Sequence, residues 1–265
     1  MPEPAAAPGN PWVNGSRHCH VGRLLRNYWC QFLMSILQVE ASAMALTEEK
    51  FNQGMSPQEY IDRVKANLAG PYWARPAFWY DKQAFLDIYQ ALDVPAEAIE
   101  QFNGLSGPLR LAVFTADWCG DAISTTPTIL RMAESTQNLL VKVFNRDEEL
   151  DLTNSFLPGN RVGTVPVFVV LDSSMKEIAR FFETANELVP AIDAMDDKIA
   201  QDASAEREAP PSGASRGRRM AYRTSHAQEW GEVILDAFGR MVTEGLALAP
   251  EARPAVGGTK WPPEP

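Results

Sequence analysis

Cysteine is scarce in this 265-residue chain: there are three, at positions 19, 30 and 119. Three thiols over such a length cannot build a disulfide scaffold, and the odd number leaves at least one free unless chains pair. Histidine is equally scarce, and none of the three falls within residues 44–200. That argues against a Cys–His catalytic pair of the protease kind. His18-Cys19-His20 sets three ligand types side by side but has no second cluster, so it closes no site and no metal is expected. Positive charge is short, with 24 Lys and Arg against 34 Asp and Glu and a net charge of −10. Nothing here could neutralise many phosphates, so no nucleic-acid partner is expected. The one basic cluster, Arg216, Arg218, Arg219 and Arg223, reads as a solvated segment beside a helix. No Gly-rich phosphate loop appears, and no cofactor is expected. No apolar run approaches the roughly 20 residues that span a bilayer, so integral membrane association is not expected either.

What the chain does have is ordinary globular composition, 45% hydrophobic and 22% charged, enough for one large domain or two small ones. Residues 1–43 stand apart. "MPEPAAAPGNPWVNGS" is rich in Pro, Ala and Gly and should be disordered. "RLLRNYWCQFLMSILQVEASA" has the arginines, apolar stretch and small-residue end, Ala41-Ser42-Ala43, of a signal peptide. Gln31, Ser35 and Gln38 interrupt that stretch, which favours a natural start at Met44 and a cytoplasmic protein. If residues 17–43 do act as a signal, the protein is exported.

From Met44 the pattern becomes helical. Ser56-Pro57-Gln58-Glu59 reads as a capping box with Pro at the first helical position, opening a helix that ends near Gly70-Pro71. Helices are predicted over 78–92 and 95–103. The aromatic run "PYWARPAFWY", 71–80, is read as packing of these helices on the main domain, or as a wall beside a site. "GPLRLAVFTA", 107–116, and "NLLVKVFNRD", 138–147, read as strands. "VPVFVVLD", 165–172, and "EIARFFE", 177–183, read as two more, joined by a polar turn. Helices are predicted over 120–135, 148–157 and 185–200. The order β-α-β-α-β-β-α predicts an α/β domain with a central mixed sheet flanked by helices. Residues 44–200 would form it, with 201–217 a polar linker, 218–246 a docking helix and 247–265 a disordered Pro/Gly-rich tail. Trp230, Ile234, Phe238 and Met241 give that helix its apolar face.

Cys119 follows the first of these strands and opens a helix. Unpaired N–H groups and the positive end of the helix dipole face a thiol there and favour thiolate, the reactive species. Trp118-Cys119-Gly120 at this junction, Pro127 eight residues after the cysteine, and Thr164-Val165-Pro166 opening a strand, with Pro166 47 residues after it, occur in the order of a thioredoxin domain. Residues 107–200 resemble that family, with helical N- and C-terminal extensions. More narrowly, 44–246 resembles a bacterial thioredoxin-like group with a WCGD motif and an extension opening like "FNQGMSPQEYI". The resemblance implies a kink at Pro127, a cis-proline at Pro166 across from the sulfur, and a role in redox homeostasis. It makes Cys119 the catalytic thiol and puts Trp118, Gly120, Val165 and Pro166 at substrate binding; Asp121 is a catalytic candidate for tuning or proton transfer.

Two departures oppose a dithiol cycle. Ala122 stands where the second cysteine of the family would be, and Val113 stands where many members have a buried acid. Asp121 adds a carboxylate two residues after the thiol, which raises a thiol pKa by repulsion. It reads equally as a first-turn acid that satisfies helix N–H groups. Asp117 reads as solvated. Two functions therefore stay open. Cys119 is a monothiol that exchanges with a protein disulfide or a low-molecular-weight thiol and is resolved by an external thiol. Alternatively, the domain is a redox-inactive module that holds a protein partner in its cis-proline groove.

Overall fold

The computed structural model describes residues 46–69, 79–205 and 213–260. The leader 1–43 and all but the last two of the 71–80 aromatics lie outside them. Among the described residues two short helices come first, α1 (Glu48–Gln53) and α2 (Pro57–Ala66). The capping box forms at α2: the Ser56 side chain accepts from the Glu59 N–H, and the Glu59 carboxylate takes the Ser56 N–H. These two bonds satisfy donors that the first helical turn leaves open. Helices α3 (Trp79–Ala91) and α4 (Ala96–Asn103) lead into β1 (Leu109–Thr115), α5 (Gly120–Ala133), β2 (Leu139–Asn145), α6 (Leu150–Ser155), β3 (Val167–Leu171), β4 (Glu177–Phe182) and α7 (Val189–Ala205).

With a fifth strand near the C-terminus, β5 (Ala255–Gly258), the described strands form a five-stranded sheet in the order β2-β1-β3-β4-β5. β1 pairs with β2 in parallel and with β3 antiparallel, and β3 pairs with β4 antiparallel. Alternation along β1 separates two cores, since successive side chains leave a strand on opposite faces. Leu111 and Val113 face one cluster with Phe85, Ile123, Ile129, Phe168 and Phe238. Ala112 and Phe114 face the other with Phe51, Phe144, Phe156 and Val169. With both faces covered, every residue of β3 is buried, which is why its sequence reads as unbroken apolar rather than alternating.

The C-terminal segments depart from the sequence reading in three places. First, the stretch 201–217 is not simply a linker, because α7 runs on to Ala205 and a new helix, α8 (Gly213–Ser225), begins before its end. Second, the single helix over 218–246 is two. It breaks at His226, whose ring stacks on Tyr222 at 4.1 Å, and resumes as α9 (Ala227–Ala247). Trp230, Ile234, Phe238 and Met241 are all buried along α9. Third, the segment 247–265 holds a strand. β5 (Ala255–Gly258) pairs in parallel with β4 and extends the sheet. Its glycines, which suggested a loose tail, allow close approach instead: Gly258 has φ +91° and a Cβ there would lie 2.1 Å from the Phe182 carbonyl oxygen. Buried Arg161 anchors the end of β5 through the Thr259 carbonyl at 2.6 Å and through Glu183 at 3.0 Å.

Candidate functional site

β1 ends at Thr115, and the chain turns through Asp117 and Trp118 to place Cys119 at the N-cap of α5. Ile123 N–H closes the first helical bond onto the Cys119 carbonyl at 3.0 Å. The turn is braced from below, where the Thr115 and Thr126 hydroxyls meet at 2.8 Å in the buried interior. Pro127 lies inside α5.

Across from the N-cap, the Val165–Pro166 peptide bond is cis. The Cys119 Sγ–H donates to the Val165 carbonyl at 3.2 Å. Cysteine and cis-proline loop, 46 positions apart, therefore meet directly. Cys119 itself is half-buried and is a free thiol. Ala122, at the position of a second cysteine, is buried, and Val113 is fully buried.

The electrostatics of the thiol are a contest. Burial raises its pKa most, and the Asp121 carboxylate raises it further. The N–H groups of Ala122 and Asp121, and the Arg223 guanidinium, pull it back. The net direction is upward, so the helix N-terminus acts as the sequence suggests but is outweighed.

Trp118 is 42% exposed, which makes it the prominent apolar surface of the site. Its indole N–H donates to Asp147 at 2.7 Å, and Arg146 lies over its ring at 5.9 Å. Arg146 also donates to the Gly163 carbonyl at 2.8 Å, tying Trp118 to the cis-proline loop. Asp117 is not simply solvated. It pairs with Lys82 of α3 at 3.2 Å, where the lysine side chain is 9% exposed.

The basic segment of α8 is the largest surprise. Arg216 grips Asp81, a fully buried carboxylate of α3, through three N–H contacts of 2.6 to 3.0 Å. It also donates to the Trp118 carbonyl at 2.5 Å. Arg219 pairs with Asp196 of α7 at 2.6 Å. Arg223 donates to Asp121 at 3.1 Å and to the Ser124 hydroxyl at 3.0 Å. Arg216 and Arg223 fasten α8 over the WCGD turn, and Arg219 ties it to α7, so the segment is not simply solvated. Their spacing of three and four residues, with Met220 buried between them, carried a helical signal. The charges across from them could not be known.

A thioredoxin family model matches residues 79–196. This part of the chain has a thioredoxin-like fold. No curated protein matches the chain. Among solved structures, a Pseudomonas aeruginosa protein of unknown function is similar at 15% identity and TM-score 0.45, covering 74% of this chain and 96% of its own. An HIV epitope-scaffold protein is similar at 15% identity and TM-score 0.44, covering 74% and 95%. Among the described residues, no helix is long and apolar enough to cross a membrane, and no group of side chains is arranged to hold a metal ion. The His18-Cys19-His20 run lies outside those residues.

Proposed function

We propose that this thioredoxin-like protein is a monothiol exchanger working through Cys119. The observation that carries the reading is the half-buried Sγ aimed at the Val165 carbonyl at 3.2 Å, beside the cis-proline loop. In the first step the Cys119 proton leaves to solvent and the thiolate attacks one sulfur of a protein or low-molecular-weight disulfide. A bond forms between Cys119 and that sulfur, the old S–S bond breaks, and the departing sulfur takes up a proton. Ala122 offers no thiol for an internal second step, so an external thiol loses its proton and attacks the substrate-derived sulfur of the mixed disulfide. A new disulfide forms between those two, the bond to Cys119 breaks, and Cys119 takes up a proton as free thiol. Trp118 and the edge of the Val165–Pro166 loop would flank the incoming chain, and Gly120 and Asp121 lie beside the reacting sulfur.

The raised thiol pKa favours a second reading, in which the same groove holds a protein partner without chemistry. One experiment separates the two. The full chain is incubated with bis(2-hydroxyethyl) disulfide at pH 8.5, digested, and mapped by mass spectrometry. A mixed disulfide at Cys119 that added thiol discharges supports exchange. An unmodified Cys119, under conditions where the unfolded chain reacts, overturns it in favour of the binding module.

A further inference from the structure

We propose that Arg223 of α8 is the positioning residue for Cys119, offsetting the Asp121 carboxylate and supplying positive charge when the thiolate forms. This rests on the reading of Cys119 as an exchanging thiol. The geometry is specific. The Arg223 side chain is 6% exposed, and its two terminal nitrogens are divided between Asp121 and Ser124, both in the first turns of α5. Its guanidinium sits over the Trp230 ring at 5.6 Å. A Cβ added to Gly120 would lie 3.4 to 3.7 Å from the guanidinium atoms, in ordinary van der Waals contact, so the cation sits beside the residue next to the cysteine. The Arg223 Nε is buried and has no hydrogen-bond partner among the described residues. Burying a guanidinium with an unmade bond is costly, so hydrogen bonding alone does not account for its place.

The other charges around the turn are engaged with one another. Asp117 pairs with Lys82, Asp81 with Arg216, Asp147 with Arg146, and Glu183 with Arg161. Among the described residues, Asp121 and Arg223 are the charged groups that act on the Cys119 thiol, with opposite signs. Removing either should therefore move its titration in opposite directions.

The test is the pH dependence of Cys119 alkylation by iodoacetamide, in full-length protein carrying Cys19→Ser and Cys30→Ser. Arg223→Met should move the midpoint to higher pH and slow alkylation at pH 8 by roughly five- to tenfold. Arg223→Lys should restore most of the rate, and Asp121→Asn should move the midpoint down, with a gain of roughly threefold at pH 8. An unchanged midpoint in Arg223→Met, or faster labelling at every pH, would mean the arginine only packs over the site and would overturn the proposal. If circular dichroism shows Arg223→Met unfolded, Asp121→Asn and Arg223→Lys decide: a midpoint equal to the parent's in Asp121→Asn, or Arg223→Lys titrating higher by as much as predicted for Arg223→Met, overturns it. Shifts as predicted, together with a parent that forms no mixed disulfide at pH 8.5, would sink the exchange reading and leave the role of Arg223 standing.

Discussion

Two regions meet at Cys119, and they differ in how they are built. The WCGD turn is local: Trp118, Cys119, Gly120 and Asp121 are consecutive, and β1 and α5 hold them by short-range hydrogen bonds. The C-terminal segments are not. α8 reaches the same turn from about 100 positions away, through Arg216 on the Trp118 carbonyl and Arg223 on Asp121. The first region supplies the thiol, which faces the cis-proline loop. The second adds Arg223, which opposes the charge of the turn's own Asp121. A motif therefore describes only half of the environment that decides whether its cysteine reacts.

Breaking the long-range half should cost most at Asp81. Asp81→Ala removes a buried carboxylate that takes three N–H contacts from Arg216, and should lower the free energy of unfolding by about 3 kcal/mol in urea titration. A loss near zero would mean that α8 is held on the domain by its apolar contacts alone. Gly258→Ala comes next. The added Cβ would collide with the Phe182 carbonyl in a backbone conformation that favours glycine, and about 2 kcal/mol should be lost. An unchanged melting temperature would show that β5 contributes nothing to the sheet.

The smallest effect belongs to the thiol. Burial and Asp121 raise the Cys119 pKa in the folded chain, so between the unfolded and folded values the folded state holds the extra proton. That stabilisation is complete below the unfolded value of about 8.5 and fades as pH rises through the folded one. Stability should thus fall with rising pH above about 8.5, and Cys119→Ser should lack this component of the fall. Parallel curves for the two proteins would contradict it.

The same contrast governs how much could be read from the sequence. The strand and helix order of 107–200, the Ser56 capping box and the approach of Cys119 to Val165 were legible because each rests on local pattern or on the spacing of a familiar motif. Arg216, Arg219 and Arg223 showed helical spacing, yet their partners, Asp81, Asp196 and Asp121, lie on three other helices. Charge alone looked like a solvated face, since a chain does not announce which distant carboxylate it will meet. Gly257 and Gly258 misled for a related reason. Glycine marks both a loose tail and a backbone that must come very close to a neighbour, and only the fold distinguishes them.

Cys119 faces the cis-proline loop, and burial and Asp121 raise its pKa above the ordinary thiol value, so it is expected to stay protonated near neutral pH. The pH profile of its alkylation in the otherwise native protein tests this most directly. A midpoint above about 8.5, with slow labelling at pH 7, is the predicted result. A midpoint well below that value, with fast labelling at pH 7, would mean that the helix N-terminus and Arg223 have overcome burial and Asp121, and would contradict the account.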